Sequence, residues 1–279
     1  MSSLDSFGLD VPPTPLRVRR KKVTTALSPS RLPGLDYALN PYTRCGHNCT
    51  YCYAPYIMRI SPKEWGQGIE AKVNIPRLLD RELPKKQGVI GLGTVTDPYQ
   101  PVEERLLLTR RCLKVLQRHN ARVSVLTKSA LVARDADILT KMEGSEVGIT
   151  ITTISDQRSK IFEPCAPPPS KRLGAMRTLH DSKVSVYALL GPIIPTISDY
   201  DLEGLVTAIE RAGASMIMID RLNMRPGMEA RMLERMRMMD PASLPILESA
   251  LSDRDFYRSA AESIRRLCKD RSLICKDAF

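Results

Sequence analysis

The chain has 279 residues, and 42 Lys and Arg against 31 Asp and Glu give it a net charge of +11. This length buries an ample core for one domain or one and a half, while the positive balance favours polyanionic partners by long-range attraction. Seven cysteines with no cationic, apolar leader at Met1-Ser2-Ser3-Leu4-Asp5 argue against a disulfide scaffold. The apolar stretches are too short and Pro-broken to span a bilayer, so a cytoplasmic protein with no membrane partner is expected.

Residues 1–35 read as an extended basic arm: five prolines and the cluster Arg17-Val18-Arg19-Arg20-Lys21-Lys22 leave no periodic apolar face. From Tyr37 onward short apolar runs alternate with amphipathic segments. Strands are predicted at Asp36–Pro41, Gly88–Gly93, Arg122–Leu126, Glu146–Thr150, Lys183–Leu189 and Ser215–Ile219. Helices are predicted at Ile75–Leu83, Val102–His119, Ala133–Met142, Ser170–His180 and Tyr200–Ala212. Leu106, Leu107, Cys112, Leu113 and Leu116 form a one-faced stripe suited to packing on a sheet. Six βα units imply an α/β fold with a parallel sheet and right-handed crossovers, either open or curled into part of a barrel. The expected division is an arm over 1–35, a core domain over 36–225 and a helical C-terminal extension over 226–279, packed on the core.

Directly after the first predicted strand come Cys45, Cys49 and Cys52, spaced C-x3-C-x2-C, with no fourth cysteine nearby. Three thiolates from one short loop select an iron-sulfur cluster or zinc over harder metals. Gly46 and Asn48 supply the turn tolerance that such a loop needs. Zinc would ask for a fourth ligand, and His47, close to Cys45, is the candidate for a Cys3His set. A cubane held by three cysteines instead leaves one iron for a small molecule.

Sites in parallel βα folds gather at the carboxyl ends of the strands. There the chain places Gly91-Leu92-Gly93-Thr94-Val95-Thr96-Asp97-Pro98-Tyr99-Gln100, then Leu126-Thr127-Lys128-Ser129, then Thr150-Ile151-Thr152-Thr153. Hydroxyls suit a polar ligand head, Asp97 can accept from an ammonium, and Lys128 is a cation for a carboxylate.

The cysteine loop resembles the cluster loop of radical S-adenosylmethionine (SAM) enzymes, whose fold is a partial (βα)6 TIM-type barrel. Asn40-Pro41-Tyr42-Thr43, Cys52-Tyr53-Ala54, Thr96-Asp97-Pro98-Tyr99-Gln100-Pro101-Val102-Glu103, Thr127-Lys128-Ser129, and Glu163-Pro164 with Pro167 and Arg172 resemble the spore photoproduct lyase-like branch, often labelled DNA repair photolyases. The likeness runs from about residue 35 to about 225. It implies a [4Fe-4S] cluster on Cys45, Cys49 and Cys52. It further implies SAM beside Tyr51, Thr96, Lys128 and Thr152, with Tyr51 against the adenine and Tyr53 as a second wall. It also implies a reducing partner such as ferredoxin or flavodoxin. The chemistry implied is reductive cleavage of SAM to methionine and a 5′-deoxyadenosyl radical that takes hydrogen from a substrate. One departure stands out: the lyase's hydrogen-donating cysteine is matched here by Thr94, whose hydroxyl holds hydrogen far more strongly than a thiol.

Cys165, on the Pro-stiffened run Glu163-Pro164-Cys165-Ala166-Pro167, is the candidate for a relocated hydrogen donor. Cys112 reads as core, and Cys268 and Cys275 as candidates for a second cluster. Met224, Met228, Met232, Met236 and Met239 recur at helical spacing and read as a packed stripe, or else as a groove for a peptide. Arg221, Arg225, Arg231, Arg235 and Arg237 form a basic region, read as a solvated face or a nucleic-acid contact. His119 and His180 fall near helix C-termini, where the dipole accounts for them. Three functions follow: a radical SAM enzyme acting on an unknown substrate with nucleic acid foremost, one modifying a protein or peptide, and a zinc-stabilised nucleic-acid-binding module without catalysis.

Overall fold

The computed structural model describes residues 17–278. Its strands are β1 (Arg17–Lys21), β2 (Leu27–Pro29), β3 (Tyr37–Leu39), β4 (Tyr42–Thr43), β5 (Gly68–Lys72), β6 (Val89–Leu92), β7 (Arg122–Thr127), β8 (Glu146–Thr150), β9 (Ser185–Ile193), β10 (Met216–Arg221) and β11 (Ile274–Asp277). Eight of them form one sheet in the order β11-β10-β9-β8-β7-β6-β3-β2. All neighbours there are parallel except β2 against β3. The six predicted strands are thus β3 and β6 to β10, laid side by side in chain order as a βα succession dictates. The sheet is open: β2 and β11 lie at its two edges.

The helices are α1 (Ala54–Ile57), α2 (Pro62–Trp65), α3 (Ile75–Glu82), α4 (Glu103–Leu106), α5 (Leu108–Arg118), α6 (Ala136–Leu139), α7 (Asp156–Phe162), α8 (Pro169–Asp181), α9 (Leu202–Arg211), α10 (Met228–Met239), α11 (Leu244–Ala250) and α12 (Arg254–Asp270). The single helix predicted over Val102–His119 is broken at Leu107, which takes a left-handed backbone with φ of 51°. The cause is the buried Glu103 carboxylate, which accepts the N–H groups of Thr109 (2.9 Å) and Arg110 (3.2 Å) at the start of α5. Leu108, Cys112, Leu113 and Leu116 then face the sheet. Cys112 is core, as its place on the apolar stripe requires.

Part of the basic arm joins sheets. β1 pairs in parallel with β5, and β5 pairs antiparallel with β4, just before the cysteine loop. Residues 1–16 of the arm lie outside the described residues. At the other end, the helical run α10–α12 is followed by β11, which returns to pair with β10. No sequence signal announced β5 or β11, because both are short and carry charges, half-buried in β5 and exposed in β11.

Two apolar clusters result. The larger joins the sheet to the helices around it. The smaller lies around Tyr51, Phe162, Ile194 and the methionines of α10. Met228, Met232 and Met236 are fully buried there, so the middle of the methionine stripe is packed core and not an open peptide groove, whereas Met224 is half-buried and Met239 exposed.

Candidate cofactor site

Cys45, Cys49 and Cys52 line a cavity at the carboxyl ends of the strands, together with Gly93, Lys128 and Asp220 among others. All three thiols are free. Burial holds the Cys49 thiol well above its ordinary value against the opposing charge of Lys128. The Cys52 thiol is pushed up to about 11 by burial and by the Cys45 thiol beside it. Gly93 shapes the floor: its φ is +96°, and a Cβ there would come within 2.5 Å of Pro98 and 2.8 Å of the Leu126 carbonyl.

The loop before Cys49 is pinned to the end of β6. Gln100 accepts the Gly46 N–H through Oε1 (2.8 Å) and donates through Nε2 to the Arg44 carbonyl (3.2 Å). The Thr96 hydroxyl donates to the same carbonyl (2.6 Å). Asn40 donates to the Thr94 hydroxyl (2.9 Å) and accepts the Val95 N–H (3.1 Å). Asp97 completes this side: its carboxylate accepts from the Thr127 hydroxyl (2.7 Å) and the N–H groups of Tyr99 (2.8 Å) and Lys128 (2.7 Å). Asp97 also faces His47 Nδ1 at 3.3 Å, an ion-pair distance without the alignment of a hydrogen bond. Burial pushes Asp97 up, but His47 and these donors outweigh it and bring its pKa down to about 2. For His47 burial opposes the charge, yet Asp97 and Cys45 raise its pKa to about 10. Asp97 is therefore occupied in joining β6, β7 and the cysteine loop.

Beyond Cys49 the loop is pinned to the other side. The Thr50 N–H donates to the Phe162 carbonyl (2.9 Å), and the Tyr51 hydroxyl donates to Glu163 Oε1. Glu163 Oε2 accepts from Arg172, whose remaining N–H groups reach the carbonyls of Pro167 (2.7 Å) and Thr150 (3.2 Å). Thr152 lies 3.4 Å from Glu163 Oε1, near enough for a weak hydrogen bond. Tyr51, Thr152, Glu163 and Arg172 are all buried. The Lys128 ammonium sits 5.5 Å from the centre of the Tyr51 ring. Tyr53 is more open, and its hydroxyl donates to the Thr94 carbonyl (2.7 Å).

The other candidates lie apart. Cys165 is exposed and lines a neighbouring cleft with Pro101, Ser129 and Leu131; only His47 belongs to both. The structure thus brings Tyr51, Thr96, Asp97 and Lys128 around the three cysteines and leaves Cys165 outside their cavity. Cys268 on α12 is buried in the main core, and Cys275 on β11 is partly buried against it. Arg231 donates to the Tyr56 hydroxyl (3.0 Å) and Arg235 to the Ile161 carbonyl (3.1 Å), whereas Arg221, Arg225 and Arg237 are exposed. His119 caps the end of α5 with Nε2 2.9 Å from Asp80, and His180 lies in the last turn of α8. The roles of Glu163 and Gln100 were not read from sequence, since a lone Glu after a helix and a Gln in a turn announce nothing locally.

The residues present fit a cluster. Trp65 Nε1 and both His47 ring nitrogens are buried without aligned partners beside the cavity, and such orphaned groups ask for one. Among the described residues no three His, Cys, Asp or Glu side chains converge on a single ion. A cubane makes a different demand, one thiolate for each of three separate irons.

The Radical SAM superfamily model matches residues 39–209. An uncharacterized protein of Methanocaldococcus jannaschii is 35% identical over 187 residues, 67% of this chain and 70% of that one. Another, of Acidianus two-tailed virus, is 25% identical over 215 residues, 71% of this chain and 70% of its own length. Among solved structures, a spore photoproduct lyase variant with bound AdoMet and dinucleoside spore photoproduct superposes with a TM-score of 0.70. It is 15% identical and covers 95% of this chain and 82% of its own. Streptococcus suis SuiB bound to the precursor peptide SuiA gives 0.57 at 11% identity, covering 88% of this chain and 49% of that one. With the cysteine loop, the open parallel sheet and the family match in agreement, the chain belongs to the radical SAM superfamily.

Proposed function

We propose that Cys45, Cys49 and Cys52 each ligate one iron of the family's [4Fe-4S] cluster, leave the fourth iron to SAM, and serve a reaction on nucleic acid. The observation that carries the proposal is the presence of three free thiols on one cavity at the strand ends, with Lys128 as the nearby cation. When bound, cluster and SAM supply reductive cleavage of the sulfonium and a radical able to take hydrogen from carbon. The chain's own residues position and shield. Lys128 would take the methionyl carboxylate and Tyr51 would wall the adenine side, while Thr152, buried beside Glu163 and off the cavity lining, backs Tyr51, and Thr96 with Asp97 holds the first cysteine in place. Because their thiols are held protonated by burial, Cys49 and Cys52 release protons on binding metal. A one-electron reductant such as ferredoxin or flavodoxin completes the system.

Nucleic acid is favoured by the net charge of +11, by Arg221 exposed at the cavity rim and by the dinucleoside held in the neighbouring lyase structure. Thr94, at the place of the lyase's donor cysteine, lines the cavity, so the reaction ends differently from the lyase's. The test is anaerobic reconstitution, then reduction in the presence of SAM. Formation of 5′-deoxyadenosine is expected, and its loss in Cys45→Ala, Cys49→Ala and Cys52→Ala. A colourless protein carrying zinc, or cleavage that survives these substitutions, refutes the cluster. DNA or RNA binding that falls steeply with salt supports the substrate class, and binding indifferent to salt removes it.

A further inference from the structure

The motif Glu163-Pro164 with Pro167 and Arg172 stands off the lining of the cysteine cavity. Its two charged residues form an ion pair that is almost wholly withdrawn from water, with Arg172 at 0% and Glu163 at 2% exposure. Such a pair loses hydration on both members, and well-packed apolar residues of similar size serve stability as well or better. Its location supplies another reason for its presence. Glu163 holds the phenol of Tyr51 with one oxygen and Arg172 with the other. The guanidinium is anchored to two backbone carbonyls, those of Pro167 and Thr150, so every link from Thr150 through Arg172 and Glu163 to Tyr51 is hydrogen-bonded. The backbone repeats the tie one residue earlier, from the Thr50 N–H to the Phe162 carbonyl. Tyr51 stands between Cys49 and Cys52, so the place of its ring fixes the arc on which both thiols are carried.

We propose that Glu163 and Arg172 are positioning residues for the cluster: through the Tyr51 hydroxyl they hold Cys49 and Cys52 in the geometry that the irons require. The proposal rests on the cluster reading above. It makes the pair an outer support of the ligands, the kind of contact whose removal loosens metal without removing a ligand.

The test uses the full chain, reconstituted anaerobically, and three variants: Tyr51→Phe, Glu163→Gln and the double variant. Tyr51→Phe removes one hydroxyl and leaves the ion pair intact, so folding is retained. Trp65 is the single tryptophan and lines the same cavity, so recovery of its fluorescence reports loss of the cluster to an added iron chelator. Tyr51→Phe is expected to load iron fully yet lose it about tenfold faster, with an altered electron paramagnetic resonance signal of the reduced cluster. Glu163→Gln should also speed iron loss, and it melts earlier because it leaves Arg172 buried without its counter-charge; the double variant should lose iron no faster than the faster single one, because both substitutions act on the cysteines through the same phenol. A wild-type rate and signal in Tyr51→Phe overturns the proposal. So does a Glu163→Gln protein that melts earlier but keeps both, or a double variant whose effects multiply. If the wild-type chain itself fails to load iron, it is the cluster reading that falls.

Discussion

The two flanks of the cysteine loop hold it by different means. On the Cys45 side, Gln100, Thr96 and Asn40 use neutral hydrogen bonds, and one carboxylate, Asp97, gathers several donors around itself. On the Cys49 and Cys52 side a single phenol hangs from a buried Glu163–Arg172 pair. The first flank distributes its strength over many modest contacts, each replaceable. The second, besides one backbone tie from Thr50 to Phe162, concentrates its side-chain contacts in one linkage in which each charge depends on the other. Loss of one partner should therefore be graded on the first flank and severe on the second.

The largest effect follows from that contrast. Arg172→Met leaves the Glu163 carboxylate buried without a counter-charge, and removing one member of a buried pair costs about 3–5 kcal/mol. Urea unfolding of the metal-free protein measures it. A loss as small as that from a surface substitution would show that water reaches Glu163, and the contrast between the flanks would be gone.

The same contrast explains what could be read in advance. The sheet was legible because Ile90, Leu92, Val123, Val125, Val147 and Ile149 form short apolar runs bounded by turns, and all six are buried. The cysteine loop was legible from spacing alone. The Cys45 flank was half legible, because its residues sit within the block Thr94-Val95-Thr96-Asp97-Pro98-Tyr99-Gln100; yet Asp97 was expected to meet an ammonium, and it is instead surrounded by the chain's own donors. The other flank stayed hidden, since Tyr51 and Glu163 lie 112 positions apart and nothing in either neighbourhood names the other. β5 and β11 were missed for a related reason: a short strand with charged residues acquires its identity from the partner it pairs with.

A middle-sized effect belongs to Asp97. Its pKa falls from 3.8 to about 2 on folding, so its contribution is present above the unfolded value and is lost as pH drops through about 2. His47 moves the other way, from 6.5 to about 10; its contribution is full below 6.5 and fades as pH rises through about 10. Stability of the metal-free chain should therefore be highest between these limits and decline on both sides. Asp97→Asn should cost about 2 kcal/mol on the plateau and flatten both slopes, since His47 loses the charge that holds its proton. An alkaline slope that survives the substitution undiminished would mean that Cys45, and not Asp97, holds the His47 proton.

The smallest effect separates the flanks most cleanly. Gln100→Ala removes the acceptor of the Gly46 N–H and a donor to the Arg44 carbonyl, yet Thr96 still donates to that carbonyl. With half of the contact retained, the cost is about 1 kcal/mol, well below that at Arg172. The consequence for metal should be just as local. Cys45 lies next to Gly46, whereas Cys49 and Cys52 keep their ties to Phe162 and Glu163. Iron should load to the wild-type level, and chelator should remove it only slightly faster. If Gln100→Ala instead released iron as quickly as Tyr51→Phe, the loop would be moving as one rigid piece, and strength on one flank could not be told from strength on the other.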